Sequence, residues 1–298
     1  MNPTVHHRFE PGSDHPLVDT AWLAERLGAP GLRVFDCTVH LRPAVPGPFL
    51  IESGHADYER GHIPGAAFAD LVADFSDRES DLPFMLPEHD ALAAAFAAAG
   101  MGTDQTIVLY SSASPMWATR MWWMLRGAGH PRALVLDGGL AKWRAEDRPI
   151  KTGTERYPAA GFAATPRAGV WTDQAAVRQA IGDGAVCTVN ALSSALHTGE
   201  SDTHYGRKGH ITGSVNVPFA SLLCDDGTYR QTDELQAAFA AVGATTASRV
   251  ICYCGGGIAA TMDALALVLS GHGEVAVYDG SMLEWARDSA LPMSIGAG

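Results

Sequence analysis

Very little in this sequence points to a metal, a nucleotide or a membrane. The five cysteines (Cys37, Cys187, Cys224, Cys252 and Cys254) include no C-x-x-C pair. An odd count without that pair argues against a disulfide framework and for a reducing compartment, read here as the cytoplasm. No H-E-x-x-H and no Cys/His cluster with zinc spacing occurs, so no metal is expected. Neither G-x-x-x-x-G-K-[ST] nor a helix-opening G-x-G-x-x-G is present, which leaves nucleotide binding without support. Apolar runs fall short of the ~20 residues of a membrane span. The first ten residues lack the basic-then-apolar order of a signal peptide. Basic blocks are missing as well. With a net charge of −12, nucleic acid and anionic membranes are not expected partners.

What remains is an ordinary globular composition, 47% hydrophobic and 18% charged, over 298 residues, enough for two domains. The most informative stretch is Tyr253-Cys254-Gly255-Gly256-Gly257-Ile258-Ala259-Ala260-Thr261. Arg249–Tyr253 before it is β-branched and aromatic and predicts a short buried strand, and Thr261–Leu269 after it predicts a helix. Cys254 therefore falls on a tight strand-to-helix turn. Glycines there can take positive φ and turn their N–H groups inward. A ring of amides at a helix N-terminus holds an anion, and the same field favours a thiolate. The competing reading is an inert buried cysteine in a plain glycine turn.

The chain also repeats itself. Asp90–Gly100 matches Asp233–Gly243 at an offset of 143, and each is followed by a strand, Ile107–Ser111 and Val250–Cys254. That offset sets Ser111 opposite Cys254. Gly61-His62-Ile63-Pro64-Gly65-Ala66 parallels Gly209-His210-Ile211-Thr212-Gly213-Ser214. Asp137-Gly138-Gly139-Leu140-Ala141-Lys142-Trp143 parallels Asp279-Gly280-Ser281-Met282-Leu283-Glu284-Trp285.

In the first half the patterns predict helices at 20–27, 90–99, 117–126 and 140–145 and strands at 32–36, 106–110 and 133–136. In the second they predict helices at 172–181, 233–242, 261–269 and 281–288 and strands at 185–189, 249–253 and 275–278. Alternation of this kind predicts an α/β fold with two domains, each a parallel sheet with helices on both faces. Ligands of such sheets bind beyond the strand carboxyl ends, where Cys254 lies. Residues 150–169, rich in Pro, Gly, Ala and Thr, read as a surface linker between a first domain over 13–149 and a second over 170–298. The Pro-rich excursion Arg42–Phe49 belongs to the first half alone. It is read as a surface loop or a cover for the other domain's site.

The Gly-His-Ile-Pro-Gly-Ala loop, the strand ending in a cysteine loop and the closing Asp-Gly-Gly-x-x-x-Trp resemble the rhodanese domain. Two copies in tandem resemble the thiosulfate and 3-mercaptopyruvate sulfurtransferases, over about 17–292. The resemblance implies that only the second domain is catalytic, with Ser111 in place of the nucleophile in the first. It implies a ping-pong reaction in which the Cys254 thiolate takes sulfur from a small-molecule donor as a persulfide. The sulfur then passes to a thiophilic acceptor: cyanide, a thiol or a thioredoxin-like protein. Gly255, Gly256, Gly257, Ile258 and Ala259 form the binding loop, and no organic cofactor or metal is implied. A Cys-x5-Arg phosphatase is disfavoured, because Ala260 stands where its arginine would.

Cys254-Gly255-Gly256-Gly257 lies nearer the mercaptopyruvate type of loop than the basic thiosulfate type. Yet the arginine of the family's Asp-x-Arg pattern falls on Leu192, within Asn190-Ala191-Leu192. Arg207 and Lys208 are candidate replacements or plain loop charges. His62 is a candidate proton shuttle, or a structural residue, since His210 repeats it. Trp117, Trp122 and Trp123 line a donor pocket or belong to the core, while Trp143 and Trp285 read as packing. Cys252 is a resolving thiol or a buried strand cysteine. Two other classes stay open: a non-catalytic persulfide carrier or partner-binding module, and a redox-sensing thiol protein.

Overall fold

The computed structural model describes residues 15–42 and 49–297; positions 43–48 of the Pro-rich excursion lie outside them. In the first half the order is β1 (Leu17–Val18), α1 (Thr20–Arg26), β2 (Leu32–Asp36), β3 (Val39–Arg42), β4 (Leu50–Ser53), α2 (His55–Arg60), β5 (Ala66–Phe68), α3 (His89–Ala99), β6 (Thr106–Tyr110), α4 (Met116–Gly127), β7 (Ala133–Leu136) and α5 (Gly139–Ala145). The second half runs β8 (Trp171–Thr172), α6 (Gln174–Ala180), β9 (Val186–Asn190), α7 (Ser194–Thr198), β10 (His210–Ile211), β11 (Val215–Asn216), α8 (Thr232–Ala240), β12 (Arg249–Tyr253), α9 (Ala260–Leu269), β13 (Val275–Tyr278), α10 (Ser281–Trp285) and β14 (Met293–Ser294).

The longer strands and helices fall where the apolar patterns put them. Two-residue strands and the short helices α2 and α7 carry too few residues to show a period, and the sequence reading passes over them. The predicted helix at 172–181 starts later, because Trp171–Thr172 pairs with Val277–Tyr278 and Asp173 then caps α6 by accepting from the Ala176 N–H at 2.8 Å. Asp19 caps α1 in the same way.

Each half builds a five-stranded parallel sheet of one topology. The orders are β1-β7-β6-β2-β5 and β8-β13-β12-β9-β11, which match strand for strand. The residues flanking positions 43–48 form the antiparallel pair β3–β4, which has no counterpart among the described residues of the second half. Helices α4 and α9 pack against each other across the domain boundary, and the hydroxyls of Thr119 and Thr261 meet there at 2.8 Å. One apolar cluster runs through both halves.

Residues 150–169 are held to the first domain rather than hanging free. Tyr157 accepts from the Val34 N–H, and the Ala160, Thr165 and Arg167 amides donate to Ala97, Ala128 and Gly127. Trp117, Trp122, Trp123, Trp143 and Trp285 are all buried core.

Candidate active site

Strand β12 is buried from Val250 to Tyr253, and its register against β9 and β13 carries Cys254 to the carboxyl edge of the second sheet. The loop from Cys254 to Ala259 feeds directly into α9. The amides of Gly256, Ile258, Ala259 and Ala260 all turn toward the Cys254 sulfur and pull its pKa down. Burial acts more strongly in the opposite direction. Cys254 is only 3% exposed, and its thiol lies above its ordinary value. This corrects the expectation of a thiolate at rest: the cradle has the right donors, but desolvation outweighs them.

Ser281 holds the loop in shape. Its hydroxyl accepts from the Cys254 and Gly257 N–H groups, each at 3.1 Å, and donates to the Tyr278 carbonyl. Met282 and Leu283 donate to the Cys254 and Gly255 carbonyls. Ser281 does this at φ 49°, a left-handed conformation rare outside glycine. Its counterpart Gly139 has φ 54° and no side chain, beside Ser111. The repeated Asp-Gly-Gly against Asp-Gly-Ser carries this signal, although the sequence reading took Ser281 only as a helix start.

The first domain reaches into the same site. Arg120 of α4 is 1% exposed, and its guanidinium donates to the Gly257 carbonyl at 3.2 Å, to Asp279 and to the Phe84 carbonyl. It also stacks over Trp171. The other oxygen of Asp279 accepts from the Leu86 N–H at 2.7 Å. Asp137 mirrors this by accepting from the Tyr229 N–H at 2.9 Å, so each Asp-Gly turn grips the opposite half.

Several expected residues stand elsewhere. Arg207 donates to the carbonyls of Trp285, Ala286, Asp288 and Leu291, which closes the end of α10. His62 is fully buried, bonded through Nδ1 to the Tyr58 carbonyl and stacked on the Tyr58 ring at 4.2 Å. His210 repeats both contacts with His197. The residue after each histidine donates its N–H to a strand-end tyrosine, Ile63 to Tyr110 and Ile211 to Tyr253. The Gly-His-Ile motif is therefore a clamp on the strand before each loop. Cys252 is wholly buried, and burial raises its thiol well above the ordinary value.

Leu192 is buried in the same apolar cluster as Cys254. Its first-domain counterpart Thr38 shows which way this position faces, since the Thr38 hydroxyl accepts from the Ser112 N–H at 2.8 Å. In the second half that place is apolar.

The rhodanese-like domain model matches residues 19–146 and 196–288. The 3-mercaptopyruvate sulfurtransferase of Escherichia coli (strain K12) is 33% identical over 279 residues, covering 93% of this chain and 97% of that protein. The thiosulfate sulfurtransferase of Bos taurus is 33% identical over 278 residues, covering 90% and 91%. The crystal structure of the Escherichia coli 3-mercaptopyruvate enzyme superposes with a TM-score of 0.78 at 32% identity, covering 89% of this chain and 98% of that one. This chain belongs to the rhodanese family and is a two-domain sulfurtransferase.

Proposed function

We propose that Cys254 is the nucleophile and that the first domain, with Ser111 in its place, is a non-catalytic partner. The donor is thiosulfate or 3-mercaptopyruvate, and the acceptor is cyanide or a thiol, free or on a thioredoxin-like protein. The observation that carries this reading is the convergence of three loop amides and the first amide of α9 on the sulfur of a buried cysteine. The Cys254 thiolate attacks the outer sulfur of the donor, forming an S–S bond as the donor's bond to that sulfur breaks. From thiosulfate, sulfite leaves with the electron pair. From 3-mercaptopyruvate, the carbon keeps the pair and takes up the thiol proton, which gives pyruvate.

The product persulfide carries its charge on the outer sulfur, about 2 Å beyond Sγ, farther into the amide ring. The cradle thus favours the state that forms over the one that is consumed. Cyanide then attacks the outer sulfur, leaves as thiocyanate and returns the Cys254 thiolate. All five cysteines are unpaired, which supports a reducing compartment such as the cytoplasm.

The test is intact-protein mass spectrometry after mixing with either donor, followed by cyanide. One sulfur mapped to Cys254 and removed by cyanide is the expected result. Cys254→Ser, nearly isosteric, is expected to fold and to abolish transfer. Turnover retained in that variant would sink the assignment. The apolar Leu192 favours a second reading, a protein-borne persulfide carrier, in which Cys254 accepts sulfur only from a partner protein and neither small donor loads it.

A further inference from the structure

Because Cys254 is 3% exposed, a donor reaches it only past whatever covers the cradle. Tyr205, in the loop between α7 and β10, lies beside the cradle. A Cβ placed on Gly255 would run into the Tyr205 ring, and it would lie 2.6 Å from the phenolic oxygen. The ring therefore rests on the residue next to the nucleophile. It is packed against the apolar cluster, whereas Asp202, Thr203, His204 and Gly206 around it are exposed. Among the described residues its hydroxyl has no hydrogen-bond partner, and both burial and the neighbouring Cys254 hold its proton on. Gly206 at φ 107° and Gly209 at φ 96° give the loop joints on the side toward β10.

Position 192 is apolar, and Arg207 donates to backbone carbonyls. We infer that Tyr205 is the donor-selecting residue of this site, its ring roofing the cradle and its hydroxyl donating to the carboxylate of an α-keto thiol donor. This rests on Cys254 as the nucleophile. A neutral phenol gives one directional hydrogen bond without a countercharge, which suits a singly charged carboxylate better than the dianion thiosulfate. Tyr205 keeps its proton throughout the transfer. Gly255 is required by the same contact, because a side chain there would push the ring away.

The experiment uses the full chain as wild type, Tyr205→Phe and Tyr205→Ala. Alkylation of Cys254 by iodoacetamide, mapped by mass, reads the roof without any donor. Steady-state transfer from 3-mercaptopyruvate and from thiosulfate reads the hydrogen bond. Tyr205→Ala is expected to alkylate about tenfold faster, and Tyr205→Phe, which keeps the ring, close to the wild-type rate. Tyr205→Phe is expected to lose about tenfold in kcat/KM for 3-mercaptopyruvate, mainly through KM, and less for thiosulfate; that is the size of one hydrogen bond. Alkylation of Tyr205→Ala at the wild-type rate overturns the inference, and so does a Tyr205→Phe kcat/KM for 3-mercaptopyruvate within about twofold of wild type. If the wild type takes no sulfur from either donor while Tyr205→Ala still alkylates faster, it is the transfer reading that fails, and the hydrogen bond to a donor with it; the roof stands.

Discussion

At Ser281 the chain holds a side chain in a backbone region where its first-domain counterpart uses glycine, and the hydroxyl there accepts two amides of the cysteine loop. Strain of this kind persists where surrounding structure over-determines it, and here it buys a fixed cradle. Ser281→Ala keeps the positive φ and leaves two N–H groups without an acceptor. Its expected cost is about 1–3 kcal/mol by urea unfolding, together with at least about a tenfold drop in transfer rate. Ser281→Gly relieves the backbone but not the lost acceptor, so it should recover stability more than rate. Equal recovery of both would place the role of Ser281 in folding alone.

At the scale of elements, the repeated Gly-His-Ile loop explains why a histidine recurs in both halves without touching the cysteine. The stacked pair His197 and His210, with ring centres 3.8 Å apart, belongs to this clamp. Burial first, and the neighbouring His210 second, push His197 from 6.5 down to about 4. Between those values the unfolded chain binds a proton that the folded chain refuses. Stability is therefore lost as pH falls through that window, at up to ~1.4 kcal/mol per pH unit. In His197→Phe, which keeps a stacked ring, this loss is expected to vanish. Urea midpoints at pH 7.5 and 5 check it: the wild type should drop more than the variant, and parallel drops would contradict the assignment.

Across the whole molecule, the two sheets are joined by contacts that repeat about the α4–α9 packing and by one that does not. Asp137 and Asp279 each accept an amide from the opposite half, but only Asp279 also holds a buried arginine. Arg120→Ala strands a buried carboxylate and frees the Gly257 carbonyl. A loss of about 3–5 kcal/mol is expected in guanidinium unfolding, with both halves melting in one transition because one core serves both. A second transition, with the first half unperturbed, would show that the domains are energetically separate.

Much of this was written in local pattern. The strands at Leu32–Asp36, Thr106–Tyr110, Ala133–Leu136, Arg249–Tyr253 and Val275–Tyr278 each have enough β-branched or apolar residues between turn signals to be placed from sequence. The duplication set Ser111 opposite Cys254, but of the three glycines expected to line the cradle only Gly256 turns its amide to the sulfur; the others come from Ile258, Ala259 and Ala260, and the Gly257 N–H goes to Ser281. Tertiary structure decided what no linear spacing can encode. Arg120 reaches Gly257 across 137 positions of sequence. Tyr205 lies over Gly255, Arg207 is turned onto carbonyls, and desolvation outweighs the amides at Cys254. Local propensity acts over a few neighbouring residues and is legible in order along the chain. Burial and charge act through space, and only the folded arrangement brings those groups together.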